Sequence, residues 1–146
     1  LGCDEVTISI KAHATAAPIA IGKGASGGEM TRIMLALEVV IAKTHPVGTY
    51  IFDEVDAGIG GAVAETVGKL LHQLGQSHQI LCVTHLPQVA AQGNHHLKVS
   101  KSQQADKTVS QVQALGRTDR VEEVARMLGG ATITDTTRRH ARELLG

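Results

Sequence analysis

Two short apolar runs with one helical period between them constrain this chain more than any other feature. Tyr50-Ile51-Phe52 ends abruptly on Asp53-Glu54, and Ile80-Leu81-Cys82-Val83 ends on Thr84-His85. Between them Val63, Val67, Leu70, Leu71 and Leu74 recur at helical spacing, which predicts a helix from about Gly61 to Leu74. Two apolar strands joined by a crossover helix make a βαβ unit, whose strands pair parallel through a right-handed connection. Polar residues then collect at the C-terminal ends of the strands, the edge at which open α/β sheets bind ligands.

The remaining pattern fills in around this unit. Val6 to Ile10 alternates with strand period and predicts an opening strand, whereas Ala12 to Ala20 carries no readable pattern. From Gly28 to about Lys43 the chain has no proline and no further glycine and is rich in Ala, Leu, Met and Ile, which predicts a largely buried helix. His96 to Lys101 and Thr108 to Ala114 alternate around a polar stretch from Ser102 to Lys107, the mark of a hairpin at an edge. Thr118 to Leu128 reads as a helix capped by Thr118 or Asp119 and stopped by Gly129-Gly130, and a last helix runs from about Thr134 to Leu145.

Composition narrows the function classes. With 14 acidic and 14 basic side chains, the chain has no global field to draw in nucleic acid or an anionic membrane, so any DNA contact is local or lies elsewhere. Lys98, Lys101 and Lys107 on the hairpin are the candidates for such a patch, against the plainer reading of a solvated edge. Tyr50 and Phe52 are the sole aromatic residues, too few for a base-stacking platform. Cys3 and Cys82 stand far apart with no secretory pattern ahead of them, and the longest apolar run, Ile33 to Ala42, is too short to cross a bilayer. The expectation is a reduced, cytoplasmic protein without a membrane segment.

Three constellations carry chemistry. Ala25-Ser26-Gly27-Gly28-Glu29 stands immediately before the apolar helix, where exposed backbone N–H groups and the positive helix end hold an anion such as a phosphate; the plainer reading is an ordinary cap. Asp53 and Glu54 leave their strand in different directions, so Asp53 can face a Mg²⁺ shell while Glu54 addresses a water aimed at a γ-phosphate. Asp56 and Gly58-Ile59-Gly60-Gly61 extend this edge into a loop that another subunit can approach. His85, at the equivalent level of the neighbouring strand, can hydrogen-bond a terminal phosphate or orient the attacking water. His95-His96 lacks further ligands at metal-site spacing and is set aside, and His13, His45, His72, His78 and His140 carry no readable signal.

In this order the motifs resemble those of ABC-type ATPases. The stretches Gly24 to Leu37, Ile51 to Gly61, Cys82 to Ala91 and Val121 to Gly130 are similar to the RecN family of SMC-like ATPases, so the resemblance spans nearly the whole chain. It implies an α/β fold, the C-terminal lobe of a P-loop NTPase-like ABC ATPase head. That lobe is a mostly parallel sheet flanked by helices, followed by a hairpin and helices, with residues 1–146 forming the C-terminal half of the head. By resemblance, Ser26, Gly27, Gly28 and Glu29 are the signature motif, which contacts a nucleotide held by the opposite subunit. Asp53 is the Walker B aspartate serving Mg²⁺, Glu54 the catalytic base, Asp56 part of the loop at the dimer interface, and His85 the switch histidine. The implied cofactors are ATP and Mg²⁺ in the assembled head. The implied partners are the N-terminal half of the same head, a second head as a homodimer, and DNA through the full-length protein. No membrane is involved. The implied process is recombinational repair of DNA double-strand breaks at the nucleoid.

One departure stands against these agreements: the chain contains no G-x-x-x-x-G-K-[ST] phosphate loop. Gly22-Lys23 runs into Gly24 without the preceding glycine at the right distance. The chain alone is therefore expected to have little or no ATP affinity. Two rivals remain. A transporter ATPase is disfavoured by Glu29-Met30-Thr31-Arg32 after the glycines, and a non-catalytic dimerisation module has no chemical need of Glu54 and His85.

Overall fold

The computed structural model describes residues 2, 6–11, 13–20, 27–42, 47–53, 55, 56, 58–104, 107–130 and 132–146. At its centre is the βαβ unit. Strands β3 (Thr49–Phe52) and β4 (Gln79–Cys82) pair parallel in the register Thr49↔Gln79 to Phe52↔Cys82, with α2 (Gly61–Leu74) as the crossover. The pairing continues past the strands, since Val83 N donates to Phe52 O at 2.9 Å. Ahead of this unit, β1 (Ser9–Ile10) pairs antiparallel with β2 (Ile19–Ala20), and α1 spans Gly27–Ala42. After it come α3 (Pro87–Ala90), the antiparallel hairpin β5 (Leu97–Gln104) and β6 (Lys107–Ala114), and helices α4 (Arg117–Gly129) and α5 (Asp135–Leu145).

The inner face of the β3–β4 pair forms the main core. Phe52 is buried, and Tyr50, Ile80 and Cys82 pack beside it against Leu35 of α1, Val67 and Leu71 of α2, and Val89 of α3. Strand alternation sends the other side chains to the opposite face. There Ile51, Leu81 and Val83 are 72%, 44% and 60% exposed, and among the described residues no helix covers them. Among the described residues the strands form three two-stranded sheets, of which the β3–β4 pair is parallel and packs helices on its inner face. Each parallel neighbour needs its own crossover, and the described residues supply one.

Close approach of α3 to α2 depends on Gly68. A Cβ at that position would lie 2.8 Å from Gln92 Cγ, 3.1 Å from Gln88 O and 3.3 Å from Val89 Cα. Two polar clamps hold the same region. His72 Nδ1 of α2 donates to Gln92 O at 2.8 Å. Arg120 of α4 donates to Ala91 O at 2.9 Å, to Ala90 O at 3.4 Å and to Gly93 O, setting a cation on the carbonyl end of α3.

The C-terminal helices pack on each other around Val124, Ala125 and Ala141, all fully buried. Glu123, also buried, joins them to the hairpin: Lys98 Nζ of β5 and Arg126 Nη2 of α4 each sit 2.6 Å from its carboxylate. Lys98, considered above as part of a DNA-facing patch, is thus a tether between hairpin and helix. Helix α4 begins at Arg117 with Gly116 as its cap residue and no side-chain cap, so Thr118 and Asp119 lie inside its first turn and do not cap it. Gly130 ends it at φ +66°, a conformation other residues rarely adopt. Thr134 caps α5 reciprocally with Thr137, its N–H donating to Thr137 Oγ1 at 2.8 Å and its Oγ1 accepting from Thr137 N at 3.2 Å.

Two further expectations change. The opening strand shrinks from Val6–Ile10 to Ser9–Ile10, because only these residues find a partner, and that partner, Ile19–Ala20, lies in the stretch without readable pattern. The polar stretch from Ser102 to Lys107 is mostly ladder, with Ser102↔Val109, Gln103↔Thr108 and Gln104↔Lys107 paired. A hairpin exposed on both faces needs no apolar alternation to keep its backbone bonds.

Replacing Gly68 with Val is expected to cost about 1–3 kcal/mol by overpacking α2 against α3, read as a lowered urea midpoint with an unchanged denaturant slope. A second expectation concerns acid. The Arg126 guanidinium holds the Glu123 carboxyl below the ordinary glutamate value of 4.5, burial opposes this, and Lys98 adds to the lowering. A depressed folded pKa gives stability that is present above the unfolded value and lost as pH falls through the folded one. Unfolding free energy should therefore decline below about pH 4.5 more steeply in the wild type than in Glu123→Gln.

Candidate functional site

The parallel pairing of β3 with β4 brings two loop starts to one sheet edge. On the β3 side the chain leaves buried Phe52 for exposed Asp53, then turns inward at Val55 and Asp56, which are 8% and 2% exposed. On the β4 side it runs from Val83 into Thr84, His85 and Leu86 before Pro87 opens α3.

Asp56 joins the two loops through a single oxygen. Its Oδ2 accepts from the Thr84 hydroxyl, from His85 N at 2.8 Å and from Leu86 N at 3.2 Å. His85 Nδ1 lies 3.2 Å from the same atom, while the imidazole is 73% exposed. Leu86 N also donates to Thr84 Oγ1 at 3.0 Å, closing a tight turn over the carboxylate. Burial acts to raise the Asp56 pKa, but the Thr84 hydroxyl, the His85 amide and ring and the Leu86 amide together hold it below the ordinary carboxylate value. The result is a buried anion satisfied by donors from the neighbouring loop.

The sequence suggested Asp56 as a nucleotide-binding group in a loop at the dimer interface. Its side chain points into its own chain, because an ionised carboxylate flanked by buried Val55 and Ile59 needs local donors and the Thr84–Leu86 turn supplies them. The part of Thr84 and Leu86 in this cluster was not apparent from sequence. The available signal was a lone Asp among apolar neighbours, which a buried position would force to seek backbone amides.

Asp53 stands at the mouth of the edge, exposed, with no hydrogen bond or ion pair to any described residue. Its carboxylate is free to meet a cation. Glu54 and Ser26 lie outside the described residues. Gly27 and Gly28 open α1, with Glu29 in its first turn. Thus Asp53, Asp56, Thr84 and His85 share one edge, and the glycine turn belongs to a separate helix end. Cys82, just before that edge, has its thiol pushed up to about 11 by burial and by the negative charges of Asp56 and Asp53.

Residues 20–108 match the RecF/RecN/SMC N terminal domain. The chain is 50% identical over 144 residues to the DNA repair protein RecN of Streptomyces coelicolor, a match covering 99% of this chain and 25% of that protein. It is 41% identical over 145 residues to the DNA repair protein RecN of Bacillus subtilis, with 99% and 25% covered. The chain thus spans about a quarter of the length of the curated relatives it matches. Among solved structures, one reported under "ATP-driven dimerization and DNA stimulated activation of SMC ATPases" is similar at TM-score 0.68 and 24% identity, covering 89% of this chain and 77% of that one. The Smc head domain with a coiled coil and joint from Pyrococcus yayanosii is similar at TM-score 0.64 and 26% identity, covering 76% and 20%. The fold is that of an SMC-type ATPase head. The matching family description is of an N terminal domain, so it does not carry the C-terminal placement read from motif order.

With its pKa near 11, Cys82 should react with iodoacetamide at pH 8 about a hundredfold more slowly than an unperturbed thiol. Labelling followed by mass spectrometry of the native protein checks this.

Proposed function

The chain belongs to the RecF/RecN/SMC family, and on that premise we propose that it is one lobe of an ATP-binding and ATP-hydrolysing head serving DNA repair. The observation that carries this reading is the shared edge of β3 and β4, where a free carboxylate at Asp53 and the Thr84-His85 turn stand side by side. Phosphoryl transfer asks for a metal-facing acid, a water-facing base and a group on the terminal phosphate, and Asp53, Glu54 and His85 are the residue types for these roles.

Asp53 is suited to Mg²⁺, which keeps most of its shell as water and phosphate oxygens and asks little more of a protein than one carboxylate. Bound there, Mg²⁺ would neutralise charge on the β- and γ-phosphates. Glu54 accepts a proton from water as that water forms a bond to the γ-phosphorus, and the bond from phosphorus to the β–γ bridging oxygen breaks, releasing ADP and phosphate. His85 contacts the terminal phosphate or the water. Ser26, Gly27, Gly28 and Glu29, the suggested signature motif, address the γ-phosphate held by a second head, so nucleotide draws two heads together.

The absent phosphate loop and the uncovered outer face of the β3–β4 pair support the same conclusion. A sheet with Ile51, Leu81 and Val83 open to water is unfinished, and the rest of the head is the natural cover. By similarity to proteins named DNA repair protein RecN, the full-length protein acts in recombinational repair of DNA double-strand breaks, in the cytoplasm at the nucleoid. Among the described residues no helix is long and apolar enough to cross a membrane.

Mixing the chain with the remainder of its head should restore ATP turnover that the chain alone lacks, and Glu54→Gln should reduce that turnover by about a hundredfold or more. Turnover indifferent to Glu54→Gln would overturn the assignment, and head association indifferent to ATP would favour a non-catalytic dimerisation module.

A further inference from the structure

Asp56 is the one described carboxylate at this edge that is turned away from solvent, and hydrolysis as outlined above gives it no part. Its contacts assign it one. The Thr84 hydroxyl and the His85 and Leu86 amides fix the backbone of the turn that carries His85, and they fix the carboxylate oxygen itself. The ring of His85 then lies with Nδ1 at 3.2 Å from that oxygen. Which nitrogen of a neutral imidazole holds the proton is set by what the other face meets. An ionised carboxylate beside Nδ1 favours N–H at Nδ1 and disfavours a lone pair there.

We propose that Asp56 is a positioning residue for His85, holding the Thr84–Leu86 turn and keeping the ring proton on Nδ1, so that Nε2 faces the site as a hydrogen-bond acceptor. The proposal rests on the reading of His85 as a group that meets the substrate. It assigns the nitrogen that does so: Nε2 receives a hydrogen bond from the attacking water, while Nδ1 is committed to Asp56. An exposed imidazole without such a neighbour favours the opposite tautomer, with the proton on Nε2, so the two outcomes are spectroscopically distinct. The division resembles other hydrolytic sites in which a buried carboxylate orients a histidine and takes no proton itself.

The test uses the assembled head with this chain labelled with ¹⁵N-histidine and His85 assigned by comparison with His85→Gln. Long-range ¹H–¹⁵N spectra above neutral pH should show His85 protonated on Nδ1 in the wild type. Protonation on Nε2 there overturns the proposal, whatever any variant does. In Asp56→Asn, which keeps an oxygen for the Thr84 and amide donors but removes the charge, the signal should move toward the Nε2–H form. In Thr84→Val, which keeps the charge, it should stay on Nδ1. Asp56→Asn should also lower kcat about tenfold or more with little change in KM for ATP, whereas a merely structural loss would lower the unfolding midpoint and leave the tautomer alone. If Asp56→Asn does not fold, the wild-type and Thr84→Val spectra still decide. If Glu54→Gln abolishes turnover but His85 carries its proton on Nε2, the ATPase reading stands and this inference falls. If the wild type shows no turnover yet His85 holds its proton on Nδ1, the placement of the ring by Asp56 stands, while the ATPase reading falls and takes the role of Nε2 toward water with it.

Discussion

One oxygen atom organises the candidate functional edge of this protein. Asp56 Oδ2 gathers a hydroxyl, two backbone amides and an imidazole face from the turn after β4, although Asp56 itself follows β3. A buried carboxylate without donors would be strongly unfavourable, so the two loops cannot separate without leaving that charge unpaired. The parallel pairing of β3 and β4 sets the two loops side by side, and Asp56 fixes how they meet. Exposed Asp53 and exposed His85 are thereby presented from a shared, internally satisfied base.

The same division between a satisfied interior and an open exterior runs through the βαβ unit. Its inner face is closed by Leu35, Val67, Leu71 and Val89, and Gly68 lets α3 come close enough to complete that closure. Its outer face leaves Ile51, Leu81 and Val83 in water. At roughly 25 cal/mol per Å² of apolar surface, covering three such side chains would be worth several kcal/mol before any cost of association.

The C-terminal helices combine an apolar seam between themselves with polar links to the rest of the chain. Their shared core centres on Val124, Ala125 and Ala141, with Val121, Leu128, Ile133, Leu144 and Leu145 packed against it. Arg120 on the carbonyls after α3, and Glu123 between Lys98 and Arg126, supply the specific links to the βαβ unit and to the hairpin. These are few contacts with strict geometry, which fixes orientation better than a broad apolar seam does.

Much of this was legible in the residues themselves. Helices α2 and α4 follow from periodicities that local chemistry enforces, since a helix buried on one face must repeat its apolar residues at about 3.6 positions, whereas α1, expected from composition to be largely buried, leaves Met34, Val40 and Ile41 exposed. The shared loop edge followed too, because strand ends are marked where apolar runs break at Asp53 and at Thr84-His85. What the residues could not specify is pairing across distance. The β1–β2 bridge joins two short stretches, one of them featureless, and the ladder through Ser102 to Lys107 is held by backbone bonds to which side-chain pattern is blind. Lys98 and Asp56 show the same limit: each looked like a surface group, and each is held by a residue of its own chain, Glu123 in one case and the Thr84–Leu86 turn in the other. Sequence by itself determined which residue types stand at the edge and which elements carry them, because those depend on neighbours along the chain. Tertiary structure alone decided which carboxylate faces solvent and which is spent inside, because burial and hydrogen-bond partners are set by residues about thirty positions away.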